Sequence, residues 1–328
     1  MNILCRLLCV SLLVSSHATL LAAPPAGPAT PTIERLHLLI PGAAGGGWDR
    51  TARGIGEAFS RSGLVDSISY ENLSGGGGAK GIAHLIETAD PDMLMVNSTP
   101  IVVRALQKVF PQSFRDLTPV ASVIGDFSVL AVRTRSPYQN LRAFLQDQQR
   151  QPRKLAIGGG SVSGGTDHIF AAQLIQAGGG DPQQVKYIPY DAGGKAMAGL
   201  LSGEVKVLSS GYGEVVDLAQ QGWVRILCIA AAQRISQAPQ VPTCNEAGAP
   251  GAEFVNWRGF FAAPGTSDAR LRDLQHLFAT MYATPAWQEV RERYGWVDLY
   301  RPGAEFTQLL ETQENMLATL LADLGLLQ

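Results

Sequence analysis

The 328-residue chain carries no surplus of either charge: 26 Lys and Arg stand against 28 Asp and Glu, a net charge of −2. Nucleic acid and anionic membrane surfaces, which call for a basic face, are therefore not expected as partners. Histidine is scarce, with five scattered residues, no His-x-x-x-His and no Cys-x-x-Cys, so neither a metal site nor a metal cofactor is expected. No block of like charge and no internal period occurs, which argues against charged tails and solenoids. Beyond the N-terminus, no apolar run approaches the roughly 20 residues that a spanning helix needs. Cysteine is rare as well. Of four residues, Cys5 and Cys9 sit near the start, leaving Cys228 and Cys244. These two are free to pair in an oxidising compartment, and Cys228, within the apolar stretch Val224 to Ala231, equally suits a buried small hydrophobe.

What is present begins with Arg6, an apolar run from Leu7 to Val14, and small residues up to Ala22 and Ala23. That layout reads as a secretory signal peptide over residues 1–23, with Pro24 to Pro31 as a lead-in, so the mature chain is expected outside the cytoplasm. The remaining length suits two domains of ordinary size.

Short apolar runs alternate with segments of helical period, the pattern of parallel strands joined by crossover helices and hence of an α/β fold. Leu36 to Ile40 reads as a strand that ends at Pro41-Gly42-Ala43-Ala44-Gly45-Gly46-Gly47. Trp48, Ala52, Ile55 and Phe59 then recur at helical spacing. A second unit follows with Ser67 to Asn72, Gly75 to Gly78 and a helix from Ala79 to Thr88; Met93 to Asn97 is a third strand. A further set runs from Leu155 to Ile157 through the loop Gly158 to Gly165 into a helix from Thr166 to Ala177. Two extended segments, Phe127 to Val132 and Phe254 to Ala263, bracket this middle set. The economical reading is two lobes with two crossover segments, domain 1 comprising residues 24–128 and 254–328 and domain 2 residues 129–253, although one continuous sheet would give a similar pattern.

Glycine loops between a strand and a helix matter because the first helical turn leaves its N–H groups unpaired at the positive end of the dipole. An anion can dock there without Lys or Arg. None of the loops is a nucleotide motif: Trp48-Asp49 stand where a P-loop has Lys and Ser or Thr, and Gly42-x-x-Gly45 departs from the dinucleotide spacing. Ser161 and Ser163 with Asp167 and His168 invite a hydrolytic reading, but adjacent helical residues point about 100° apart and no Gly-x-Ser-x-Gly elbow is present. The candidate ligand-binding residues are therefore Gly45, Gly46, Gly47, Trp48 and Asp49 in the first loop, with Ser98 after the third strand. Ser161, Ser163, Gly164, Gly165, Thr166, Asp167 and His168 supply the second loop. Tyr190 and Tyr212 close later strands, as do Ser210, Glu214, Asn256, Trp257 and Arg258, for which packing is the simpler role.

These residues resemble the periplasmic solute-binding components of the tripartite tricarboxylate transporters, the Bug family, over nearly all of the mature chain. The marks are Pro41 to Asp49 with Gly-Gly-Gly-Trp-Asp, Gly158 to Ser161 through Gly164 to His168, Ser210-Gly211-Tyr212-Gly213-Glu214 and Asn256-Trp257-Arg258-Gly259. The Trp-Asp pair is similar to the citrate-type branch. The resemblance implies a type II periplasmic-binding fold, with a ligand between two lobes and two loops that hold a carboxylate as pincers; a monomer without catalytic residues or cofactor is expected. It also implies membrane transporter subunits as partners, a sensor role beside a membrane kinase being the alternative. Gly42-Ala43-Ala44 departs from the family pattern at a variable point.

Overall fold

The computed structural model describes residues 33–327. The expected signal peptide and the Pro-rich lead-in lie outside the described residues. Within them, the glycine-punctuated alternation becomes two sets of strands that share one long strand. In the first set β1 (Ile33–Ile40), β2 (Val65–Asn72) and β3 (Met93–Ser98) are parallel in the order β2-β1-β3. Antiparallel β9 (Val255–Ala262) continues from β3, and β4 (Thr118–Arg133) lies antiparallel beside β9. The second set repeats the plan, with β5 (Ala156–Gly159), β6 (Lys186–Pro189) and β7 (Val207–Gly211) parallel in the order β6-β5-β7 and β4 again antiparallel beside β7. Two outer strands, β8 (Val224–Ile229) and β10 (Val297–Pro302), pair with opposite ends of β4.

β4 is the element that joins the sets. Its residues 118–127 pair with β9, whereas Ser128 to Val132 pair with β7. The extended segment expected from Phe127 thus starts nine residues earlier in the chain than its own pattern suggests. Pro119 and Gly125 interrupt the earlier half, and the register with β9 slips between Pro119 and Ala121, the irregularity that proline and glycine bring to a strand.

Helices cover both faces of each set. α1 (Gly47–Arg61) turns Ala52, Ile55, Ala58 and Phe59 inward against Leu36, Leu38 and Ile40 of β1. α2 (Ala79–Thr88) follows the Gly75 to Gly78 turn. α3 (Pro100–Leu106) was hidden by its run Ile101, Val102 and Val103, β-branched residues that favour strands. Proline at its first position and burial of the whole run make it a helix. α4 (Leu141–Arg150), α5 (Thr166–Ala177), α6 (Gly193–Ser202) and α7 (Tyr212–Gln220) serve the second set. After β9 come α8 (Asp268–Tyr282), α9 (Pro285–Arg293) and the terminal α10 (Gly303–Asp323), which packs on α3 and β4.

The core has three parts. One cluster backs α1 in the first set and one backs α6 and α7 in the second. The third runs through both, from Val103 and Leu321 to Phe170 and Ile157. Cys228 and Cys244, for which the sequence left two roles open, form a disulfide with their Cα atoms 4.8 Å apart, wholly buried beside β8. No helix among the described residues is long and apolar enough to cross a membrane.

Candidate ligand cleft

The first glycine loop turns through Gly45, whose φ of +79° is a left-handed conformation that a side chain would strain. Gly46 then caps α1 without any side-chain acceptor, so the N–H groups of Gly47 and Trp48 are left open toward the cleft. Asp49 folds back, its Oδ2 accepting the Gly45 N–H at 2.9 Å. Its Oδ1 accepts from Arg53 Nε at 2.9 Å and from Asn72 Nδ2 at 3.1 Å, which ties the loop to α1 and to the end of β2. The Trp48 ring lies against Gly42 and Gly78, and its indole N–H donates to Ser98 Oγ at 2.9 Å.

The second loop has the same course. Gly164 takes a φ of +72°, Gly165 caps α5 without a side-chain acceptor, and the Gly164 N–H donates to Nδ1 of His168 at 2.9 Å. The imidazole stacks on Tyr187, ring centroids 4.7 Å apart, and burial together with Arg104 lowers its pKa. A neutral ring with an unprotonated Nδ1 fits that bond. The Tyr187 hydroxyl donates to the Ser161 carbonyl at 2.7 Å, and Ser161 Oγ accepts the Asp167 N–H at 3.0 Å.

Both loops face one cavity of about 330 Å³ between the two sets. Of the residues expected at the site, Gly46, Gly47, Trp48 and Ser98 line it from the first set, and Ser161, Gly165, Thr166, Asp167 and Tyr190 from the second. Gly45, Asp49, Gly164 and His168 stand one layer back as the braces just described, Ser163 is exposed outside the wall, and Tyr212 is buried in the core of the second set. The third glycine turn, Gly75 to Gly78, also borders the cavity.

The floor is a buried ion pair. Arg258 of β9 donates from Nη2 to Asp126 Oδ2 at 2.8 Å and from Nη1 to the Gly47 carbonyl at 3.0 Å, while Asp126 Oδ1 accepts the Gly213 N–H at 3.1 Å. The pair therefore holds the first turns of α1 and α7 together from the strands β4 and β9. Burial raises the pKa of Asp126, and Arg258 opposes that shift. Farther up the wall, burial and then Glu214 push the Asp167 carboxyl up to about 7. Glu214 itself accepts from Ser210 Oγ at 2.6 Å and borders the cavity.

The sets also touch across the cleft. Ser74 Oγ donates to Asp191 Oδ1 at 3.1 Å, and Arg50 Nη1 donates to the Gly213 carbonyl at 3.3 Å. From α3, Arg104 donates to the Ser163 carbonyl at 2.9 Å, and Gln107, just beyond that helix, donates to the Gly164 carbonyl at 3.1 Å. Sequence reasoning passed over Arg104, since α3 was not recognised. Its only local signal was Ser98-Thr99-Pro100, a helix start after a strand.

A family model described as the tripartite tricarboxylate transporter family receptor matches residues 52–326. The chain belongs to that receptor family. Among curated relatives, the UPF0065 protein in the tcbD-tcbE intergenic region of Pseudomonas sp. (strain P51) is 29% identical over 262 residues, covering 78% of this chain and 76% of its own. BugT of Bordetella pertussis is 29% identical over 239 residues, covering 70% and 71%. Among solved structures, MatC (Rpa3494) from Rhodopseudomonas palustris with bound malate superposes with a TM-score of 0.77 at 24% identity, over 87% of this chain and 98% of its own. R. palustris Rpa4515 with adipate gives 0.81 at 20% identity, over 89% and 97%. This member of the receptor family thus has the mixed α/β fold of the family's periplasmic binding proteins.

Proposed function

We propose that this chain is a periplasmic receptor that captures a small organic di- or tricarboxylate, of the size of malate to citrate, between its two glycine loops. It then delivers the acid to the membrane subunits of a tripartite transporter, works as a monomer and catalyses no reaction. The observation that carries the reading is the pairing of two uncapped helix N-termini, one from each set, across one cavity. Open first-turn N–H groups and the two dipoles favour a carboxylate held between them. The bound malate of MatC and the adipate of Rpa4515 support the same ligand class. A cavity of about 330 Å³ suits a ligand of few heavy atoms.

In this reading residues 24–128 with 254–328 and residues 129–253 act as lobes that close by rotation about β4 and the segment leading into β9, where the chain crosses between sets. Small-angle scattering with and without saturating ligand tests closure, and superimposable curves would rule out a large movement. The ligand class is tested by thermal denaturation with malate, succinate, adipate, citrate and tricarballylate. An acid present at 100 times its Kd stabilises the native state by about 2.7 kcal/mol and raises the midpoint by several degrees. If no acid moves the midpoint at millimolar concentration, the reading is wrong.

A further inference from the structure

Arg104 sits in the last turn of α3 with only 5% of its surface exposed, on the wall of the cleft. Its hydrogen bonds run to neutral oxygens, Gln107 Oε1 at 2.8 Å and the Ser163 carbonyl at 2.9 Å. Among the described residues no carboxylate lies within ion-pairing distance of it, in contrast to Arg258, the other buried arginine of the cleft, which is matched by Asp126. Burial lowers the pKa of Arg104, and only Tyr187 opposes. An uncompensated buried charge is costly even when its hydrogen bonds are made, because neutral acceptors do not cancel it. The third glycine turn packs closely beside it: a methyl group on Gly77 would crowd both Arg104 Nε and Val162 Cγ2, each at 3.3 Å. The Nε edge thus lies where Gly77 of the first set meets Val162 of the second, and all three residues line the cavity.

We propose that Arg104 is a specificity-determining residue that pairs with one carboxylate of the bound acid, so that the receptor selects ligands carrying a second carboxylate beyond the one held at the glycine loops. The inference rests on the carboxylate reading of the cleft. An ionised carboxylate satisfies the Nε edge and the charge together, as an arginine fork favours. Because Arg104 also holds the Ser163 carbonyl, the ion pair forms only where the second loop lies against α3, which couples recognition of the second carboxylate to the closed arrangement.

Calorimetric titration with succinate and adipate, and with their monoamides succinamate and adipamate, tests this. Wild type is expected to bind at least one diacid tenfold or more tighter than its monoamide. Arg104→Gln, which keeps a donor for Ser163 but removes the charge, should weaken the diacid tenfold or more and bring the ratio of diacid to monoamide near one. Arg104→Lys should retain part of that ratio. The ligand-free Arg104→Gln protein should unfold at or above the wild-type denaturant midpoint, since it loses an unmatched charge. If wild type binds diacids and Arg104→Gln weakens diacid and monoamide equally, or leaves the ratio intact, Arg104 merely positions the loop and the inference falls alone. If wild type binds none of the four, the carboxylate reading falls with it.

Discussion

In the first loop a carboxylate at the third helical position takes the N–H of a left-handed glycine; in the second an imidazole at the same position does so, at the same 2.9 Å. The cap is glycine in both. A serine or aspartate cap would fold over the second or third N–H and close the anion site. Placing the acceptor three residues later, turned back onto the residue before the cap, braces the loop while leaving the first N–H groups open. The position of the brace is what the geometry needs, and its chemistry is free to differ. Asp49 is tied to Arg53 and Asn72, so the first loop is fastened by charge. The second loop is fastened by the neutral Nδ1 acceptor of His168, whose ring is held by stacking on Tyr187.

The largest expected effect comes from the pair that joins the two halves. Arg258→Met leaves Asp126 buried without its partner and should cost about 3–5 kcal/mol, read as a lower urea midpoint with an unchanged slope. A shift within error would mean that β4 and β9 hold the halves without that pair. The loops themselves should then rank by brace chemistry. Asp49→Ala removes charged hydrogen bonds, worth about 1.5–3 kcal/mol, and His168→Ala a neutral one, worth about 0.5–1.5 kcal/mol. The reverse order in denaturation would break the comparison. Binding sharpens it further, because Thr166 lines the cavity whereas His168 stands behind it. Thr166→Ala should lower affinity for malate or citrate roughly tenfold, the scale of one hydroxyl bond to a charged acceptor. His168→Ala should still bind measurably in the same titration.

How far this site could be read from the chain follows the same divide. The glycine loops announce themselves locally, because left-handed turns and open helix starts demand glycine wherever they occur. Thr166 to Ala177 and Ala79 to Thr88 emerge as helices with the limits expected of them. Arg104 was illegible for two physical reasons. Its helix is built from β-branched residues that only burial makes helical, and its unmatched charge is a property of the folded neighbourhood. The Arg258–Asp126 pair depends likewise on the register of β4 against β9, 132 residues apart in sequence. The braces Asp49 and His168 stood among the expected ligand contacts because spacing shows that a residue is near a loop, not which way its side chain turns. The pairing of Cys228 with Cys244 also depended on a bridge between Ile229 and Thr243 that no spacing reveals.

The smallest net effect in the wild-type protein concerns pH and belongs to the second loop, where two neighbours titrate with opposite sign. Asp167 has a folded pKa of about 7, far above its value in the unfolded chain, through burial and the nearby Glu214. Its contribution to stability is fully present below the unfolded carboxylate pKa near 4 and is lost as pH rises through about 7. His168 is shifted downward by burial and Arg104. Its contribution is present above the unfolded imidazole pKa near 6.5 and is lost as pH falls below that value through the folded one. Protonation at Nδ1 would also turn the acceptor of the Gly164 N–H into a donor. The two slopes partly cancel in wild type over pH 5 to 7, so the parent protein alone hides them. Urea midpoints from pH 5 to 8 for wild type, Asp167→Asn and His168→Gln separate them. Relative to wild type, Asp167→Asn should gain stability as pH rises and His168→Gln as pH falls. Differences that stay flat across the range would show that neither side chain titrates as its surroundings in the second loop require.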